Sequence, residues 1–141
     1  MRQVRLFTRV EAERTLPLVR RIVADIQEEH GRWRTAMRQY EIAAAGVRAE
    51  WGEPPELIRL WGQVAAHAGT IAGCLAELDT IGCLLKGFDT GTVDFPALRE
   101  ERVVLLCWCP GEERITHWHE MDAGFRGRQP IEHSTFSEVL S

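Results

Sequence analysis

No apolar run in the 141 residues approaches the roughly 18 that a membrane-spanning helix needs. The opening residues Met1-Arg2-Gln3-Val4-Arg5 have no apolar signal region behind them, so the sequence predicts a cytoplasmic protein with no membrane contact. Lysine is almost missing: Lys86 stands beside sixteen arginines, a bias that genome composition explains as readily as selection for guanidinium chemistry. Four cysteines, Cys74, Cys83, Cys107 and Cys109, are too few for a disulfide scaffold of this length, and reduced thiols are expected. There is no phosphate loop and no internal repeat beyond heptads, which leaves no ready-made catalytic motif.

What is present fits one ordinary globular domain spanning 1–141, with 45% hydrophobic and 27% charged residues. The net charge of −4 is uneven: residues 1–50 hold 10 Arg against 7 acids, and residues 51–141 hold 7 basic against 14 acidic residues. A pI near 5.7 speaks against a dedicated nucleic-acid binder, and Arg20, Arg21, Arg32, Arg34 and Arg38 read as a solvated helix face.

Thr8-Arg9-Val10-Glu11 has the form of a capping box, which starts a helix. Pro17 removes the donor for the Glu13 carbonyl, so this helix is expected to kink or stop, with Thr15 capping a second one. Apolar positions then recur at Leu16, Val19, Val23, Ile26, His30, Trp33, Met37, Tyr40, Ala44 and Val47, alternating steps of three and four. That is a coiled-coil-like seam. A loop at Gly52-Glu53-Pro54-Pro55 leads into a second seam, Leu57, Leu60, Val64, His67, Ile71, Cys74, Leu78 and Ile81. The two form an antiparallel helical hairpin over 8–85, in which positions whose numbers sum to roughly 104 lie level. His30 then faces Cys74, His67 faces Met37, and the longer first helix leaves Leu16 to Ile22 to pack on the C-terminal part.

Beyond Gly82 the signal turns to β. Residues 87–96 read as loop with a short extended piece. Arg102–Cys109 and Glu113–His119 read as strands joined by Pro110-Gly111-Glu112, with Gly111 at the first central position of a type II′ turn. Residues 2–7 supply an edge strand, 91–131 complete a small antiparallel β unit, and 132–141 form a tail. The predicted class is α+β: a long antiparallel helical hairpin with a small antiparallel β-hairpin or sheet near the C-terminus.

The chain carries, in order, Phe7-Thr8, Glu11-Ala12, Leu16-Pro17, Gly82-Cys83, Lys86, Val93-Asp94-Phe95-Pro96, Cys107-Trp108, Gly111-Glu112, Trp118-His119, Gly124-Phe125 and Gly127-Arg128-Gln129-Pro130-Ile131. This order of short motifs resembles a bacterial family of unknown function, DUF2203. Cys109-Pro110 and His117 depart from that pattern. The resemblance implies a small bacterial cytoplasmic protein and brings no activity, cofactor or catalytic residue with it.

Three constellations invite chemistry. Cys107, Cys109, His117 and His119 are the ligand types zinc prefers, but a two-residue turn makes facing positions sum to 223 and sends the Cys pair and the His pair to opposite sides of the sheet. Only a bulge or an odd-length loop, raising the sum to 224, brings Cys107 opposite His117. Cys109-Pro110 also has the form of a thiolate haem ligand, although a proline that starts a turn explains it equally. Asp94, His119, Glu120, Arg126 and Arg128 combine acid, imidazole and guanidinium groups around Gly124 and Gly127 and suggest a small anion or partner site. The alternative for the same residues is an Asp94–Arg128 ion pair locking the C-terminal loop to the sheet.

Trp61 sits one step off the seam and Trp51 lies at the loop end, so both are expected to be exposed, which points to self-association through the hairpin. The functional expectation is a binding or assembly module, dimeric through its helices, with an anion or protein partner near the β-hairpin. No cofactor is expected on this reading, and a binding module is favoured over an enzyme. The alternatives are a zinc- or haem-binding protein using Cys107, Cys109, His117 and His119, or a small enzyme acting on an anionic substrate.

Overall fold

Glu11 N donates to Thr8 Oγ1 at 3.1 Å and Thr8 N donates to Glu11 Oε1 at 3.0 Å, the reciprocal capping box the sequence predicts. In the computed structural model, which describes residues 4–131, helix α1 runs from this cap as Arg9–Ala45. The predicted break at Pro17 does not occur, and Thr15 turns its hydroxyl back to Ala12 O at 2.7 Å instead of capping a new helix. The reason lies in packing. Ala12, Leu16 and Val19 are buried on both sides of the proline, and their burial outweighs the roughly 3 kcal/mol of a helix-interior proline.

Helix α2, Pro55–Ile81, begins with Pro55 at its first turn and ends at Gly82, whose φ of 107° closes the last turn with an N–H to Leu78 O at 3.0 Å. Its seam residues Leu57, Leu60, Val64, Ile71 and Leu78 are buried. Side-chain contacts tie the two helices together: His67 Nδ1 lies 3.0 Å from Glu29 Oε2, and the Tyr40 and Trp61 rings pack at 5.1 Å. His30 stacks on Phe88 at 4.5 Å. The connection between the helices begins after Ala45, earlier than the Gly52–Pro55 loop, and contains the 3₁₀ turn Ala49–Trp51.

The remainder is a five-stranded antiparallel sheet in sequence order: β1 Leu84–Leu85, β2 Val93–Arg99, β3 Arg102–Trp108, β4 His117–His119 and β5 Gln129–Pro130. Strand β2 is the main surprise. Asp94 and Pro96 make it read as loop, yet it pairs with β3 along its whole length. Pro96 fits because its carbonyl points away from β3 and accepts from Phe7 N at 2.7 Å, so the N–H it lacks belongs to no β2–β3 bond. That bond is what remains of the predicted edge strand: residues 4–7 form no strand, and Arg2 and Gln3 lie outside the described residues, as does the predicted tail 132–141.

The predicted antiparallel pairing of β3 with β4 is present, but the short turn predicted between them is not. The tight two-residue turn lies one strand earlier, at Glu100-Glu101 between the paired Arg99 and Arg102. Both glutamates have positive φ, 52° and 63°, the arrangement of a type I′ turn. Between β3 and β4 the chain instead makes a longer excursion over residues 109–116. It opens with Pro110 and Gly111 as central pair, where Glu112 N donates to Cys109 O at 3.1 Å and Gly111 has φ 98°. Glycine at the second central position is the type II pattern, not type II′.

Alternation divides the sheet into two faces. Val93, Phe95, Val104, Leu106, Trp108 and Trp118 point to the helices and share one core with Leu16, Val19, Ile22, Val23 and Ile26. The overhang of α1 therefore meets the sheet, as its extra length predicts. Polar bonds fasten the same contact: Ile115 N donates to Glu13 Oε2 at 3.1 Å, and Arg20 Nη2 donates to Glu113 O at 2.6 Å. The opposite face carries Asp94, Leu105, Cys107, His117 and His119, and the loop after β4 lies beside it.

Candidate metal centre

Nine residues, an odd number, separate the paired Cys107 and His117, and Leu105 pairs with His119 in the same register. Facing positions sum to 224, and the thiols and imidazoles that the short-turn register would separate lie on one face. Asp94 of β2 pairs directly with Cys107. Three neighbouring strands thus present Asp94, Cys107 and His119 together. One ligand atom from each lies within 4.8 Å of the others, and all three residues are buried.

His119 defines the electrostatics. Its Nδ1 is 2.8 Å from the Glu120 carbonyl, which can only accept, so Nδ1 carries a proton and donates it. Its Nε2 is 3.0 Å from Asp94 Oδ1. In the neutral ring both of those atoms are acceptors. Their approach requires a positive centre between them, either a proton or a metal ion. Asp94 Oδ2 is buried with no hydrogen-bond partner among the described residues, which leaves a second acceptor unsatisfied. Burial, reinforced by the Asp94 carboxylate, pushes the Cys107 thiol up to about 12, against the opposing pull of Arg128. Without a metal Cys107 is a protonated thiol, and a metal must displace that proton to bind it.

The other predicted residues lie around this trio. Cys109 is on the same face, with Sγ 3.6 Å from Thr92 Oγ1, and its backbone N–H donates to Glu112 Oε1 at 2.7 Å. The Thr116 hydroxyl meets His117 Nδ1 at 2.8 Å, and the same nitrogen is 4.0 Å from Glu112 Oε2. Neither Cys109 nor His117 joins the 4.8 Å cluster. Asp94 takes a place that Cys109 or His117 was expected to fill, because β2 lies directly against β3. The expected Asp94–Arg128 ion pair is absent: Arg128 Nη2 takes both Glu112 oxygens at 3.0 Å and the Cys107 carbonyl at 3.3 Å, while Asp94 turns to His119. Of the remaining anion-site candidates, Glu120 pairs with Arg102 and Arg126 is exposed on the 3₁₀ turn Phe125–Gly127.

A pocket of about 390 Å³ opens over Asp94 and His119, lined further by Lys86, Thr90, Thr92, Gly124 and Phe125. Lys86, Thr92 and Phe125 went unrecognised in the sequence. The available signal was Lys86 itself, the only lysine, two residues after Leu84, which pairs with Asp94.

Neither a curated protein nor a solved structure matches the chain. A family model described as an uncharacterized conserved protein, DUF2203, matches residues 5–131, from the approach to the capping box through the last strand of the sheet. Nearly the whole fold described above is thus covered, and the chain belongs to the DUF2203 family.

Proposed function

We propose that this protein binds a divalent transition-metal ion, zinc foremost, through Asp94, Cys107 and His119. The observation that carries this reading is the His119 ring, which donates from Nδ1 to the Glu120 carbonyl and turns its Nε2 lone pair toward the Asp94 carboxylate. Metal-ligating histidines usually donate their other ring N–H to a carbonyl or carboxylate, which fixes the tautomer and the ring orientation. One oxygen, one nitrogen and one sulfur donor suit borderline-soft zinc. Three protein ligands beside a pocket leave a fourth position for water or a ligand, unlike the closed four-ligand set of a structural site. The test is metal content of untagged protein purified without chelator, followed by zinc titration of stripped protein. One equivalent that is lost in Cys107→Ser and in His119→Ala supports the reading. A stripped protein that takes up no stoichiometric zinc overturns it.

A second observation supports dimerisation through the hairpin. From Leu60 to Ala76 helix α2 has no Asp, Glu, Lys or Arg. Ile58, Ala65 and Ala72, with Gly62, Gly69 and Ala76, repeat every seven residues along its exposed face. An added Cβ at Gly62 or Gly69 would meet nothing within 4 Å in the isolated chain, although each glycine costs an exposed helix about 1 kcal/mol relative to alanine. Small residues at heptad spacing suit close approach of the same helix from a second copy. A dimeric native mass that becomes monomeric in Gly69→Glu, with helical content retained, is expected. A monomeric wild type refutes it.

A further inference from the structure

We infer that the pocket above Asp94 and His119 binds a small organic oxyanion, its charged head shared between the metal and Lys86 and its apolar body lying on Phe125. This rests on the metal reading above and names the ligand class of that site. Charge sets the sign of the ligand. A divalent ion on the Asp94 carboxylate and the Cys107 thiolate is neutralised by them, so the Lys86 ammonium leaves the pocket with one net positive charge. Lys86 makes no ion pair among the described residues, and its backbone N–H donates to Thr92 O at 2.8 Å, which fixes it across from the threonines of the same wall.

The hydroxyls supply a donor. Thr90 Oγ1 accepts from Thr92 Oγ1 at 3.1 Å and from Thr92 N at 3.4 Å. Its own O–H is therefore left to donate into the pocket. Opposite, Phe125 is 56% exposed, and the Arg128 guanidinium stands 5.2 Å from its ring centroid. An exposed aromatic held at the rim of a polar pocket is the surface an apolar or aromatic ligand body covers. Without metal, the Asp94 carboxylate opposes an anion in the same space. Anion binding and metal binding are thus coupled, each strengthening the other.

The experiment uses cobalt(II)-loaded protein, whose thiolate-to-cobalt absorption reports the metal and whose visible ligand-field bands report the fourth position. Acetate, benzoate and inorganic phosphate are titrated separately. A saturable band change is expected, with benzoate binding about threefold to tenfold tighter than acetate through its contact with Phe125. Lys86→Gln should leave the starting cobalt spectrum unchanged and weaken the anion by at least about tenfold. In Phe125→Ala the preference for benzoate over acetate should vanish. The tighter of acetate and phosphate, both without a ring, identifies the head group as carboxylate or phosphate. An intact cobalt spectrum that none of the three anions alters overturns the inference while leaving the metal site standing, as does Lys86→Gln binding like the wild type. Absence of the thiolate-to-cobalt band overturns both.

Discussion

Asp94→Asn separates the roles of the Asp94–His119 contact. Nδ1 of His119 is committed as a donor to Glu120 O at 2.8 Å, and Nε2 faces Asp94 Oδ1 at 3.0 Å. An asparagine amide can donate to that nitrogen with no added proton or metal. It also removes a charge from a residue that is fully buried, and exchanging a buried charged pair for a neutral one is commonly neutral or stabilising. The stripped variant should therefore unfold in urea within about 1 kcal/mol of the stripped wild type. Metal binding should behave oppositely, since the amide is a poor ligand. Zinc at 100 times its dissociation constant stabilises a one-site protein by about 2.7 kcal/mol, which for a chain of this length corresponds to a rise of roughly 10 °C in Tm. That shift, read by thermal scanning with and without zinc, should be present in the wild type and missing in Asp94→Asn. A full zinc shift in the variant would show that Asp94 is not a ligand. Destabilisation of the stripped variant by more than about 3 kcal/mol would refute the assignment of donor and acceptor on His119.

Further outcomes follow from the same structure. Glu100 and Glu101 hold left-handed backbone at φ 52° and 63°, so Glu101→Gly should raise stability by about 0.5–1 kcal/mol in urea unfolding, and a loss would mean that the glutamate side chain stabilises the turn. Burial pushes the Cys83 thiol up to about 12. Because the unfolded chain then releases its proton first, wild-type stability should fall as pH rises above about 8.5, by up to about 1.4 kcal/mol per pH unit for this group. Cys83→Ala should show a shallower fall, and an unchanged slope counts against the assignment. The His67 hydrogen bond lowers the Glu29 carboxyl, so its contribution is present at neutral pH and lost as pH drops through that lowered value. Glu29→Gln should remove this part of the acid sensitivity in an unfolding series, and a variant as acid-sensitive as the wild type would argue against it.

Much of the architecture was legible in the sequence because it depends on local or periodic signals. The Thr8–Glu11 box, the three-four spacing of both helices, the glycine stop at Gly82 and the excess length of α1 each follow from a few neighbouring residues. The residue types at the site were legible in part: Cys107 and His119 read as metal ligands, whereas Asp94 reads from the sequence as an anion-site or ion-pair residue. Their partnership was not. It depends on strand register, where a shift of one residue moves a side chain to the other face.

The sequence alone determined the helical hairpin, the β character of the C-terminal part and its chemical inventory, because those follow from periodicity and composition over short spans. Tertiary structure decided what competes through contacts far apart in the chain. Packing of Ala12, Leu16 and Val19 carried α1 through Pro17. The Phe7 N–H bond to Pro96 O let a proline-bearing segment become strand β2. That strand set Asp94 directly against Cys107, and the excursion over 109–116 returned His119 to the same face. Local rules could predict neither contact, since each closes only when the core against α1 forms.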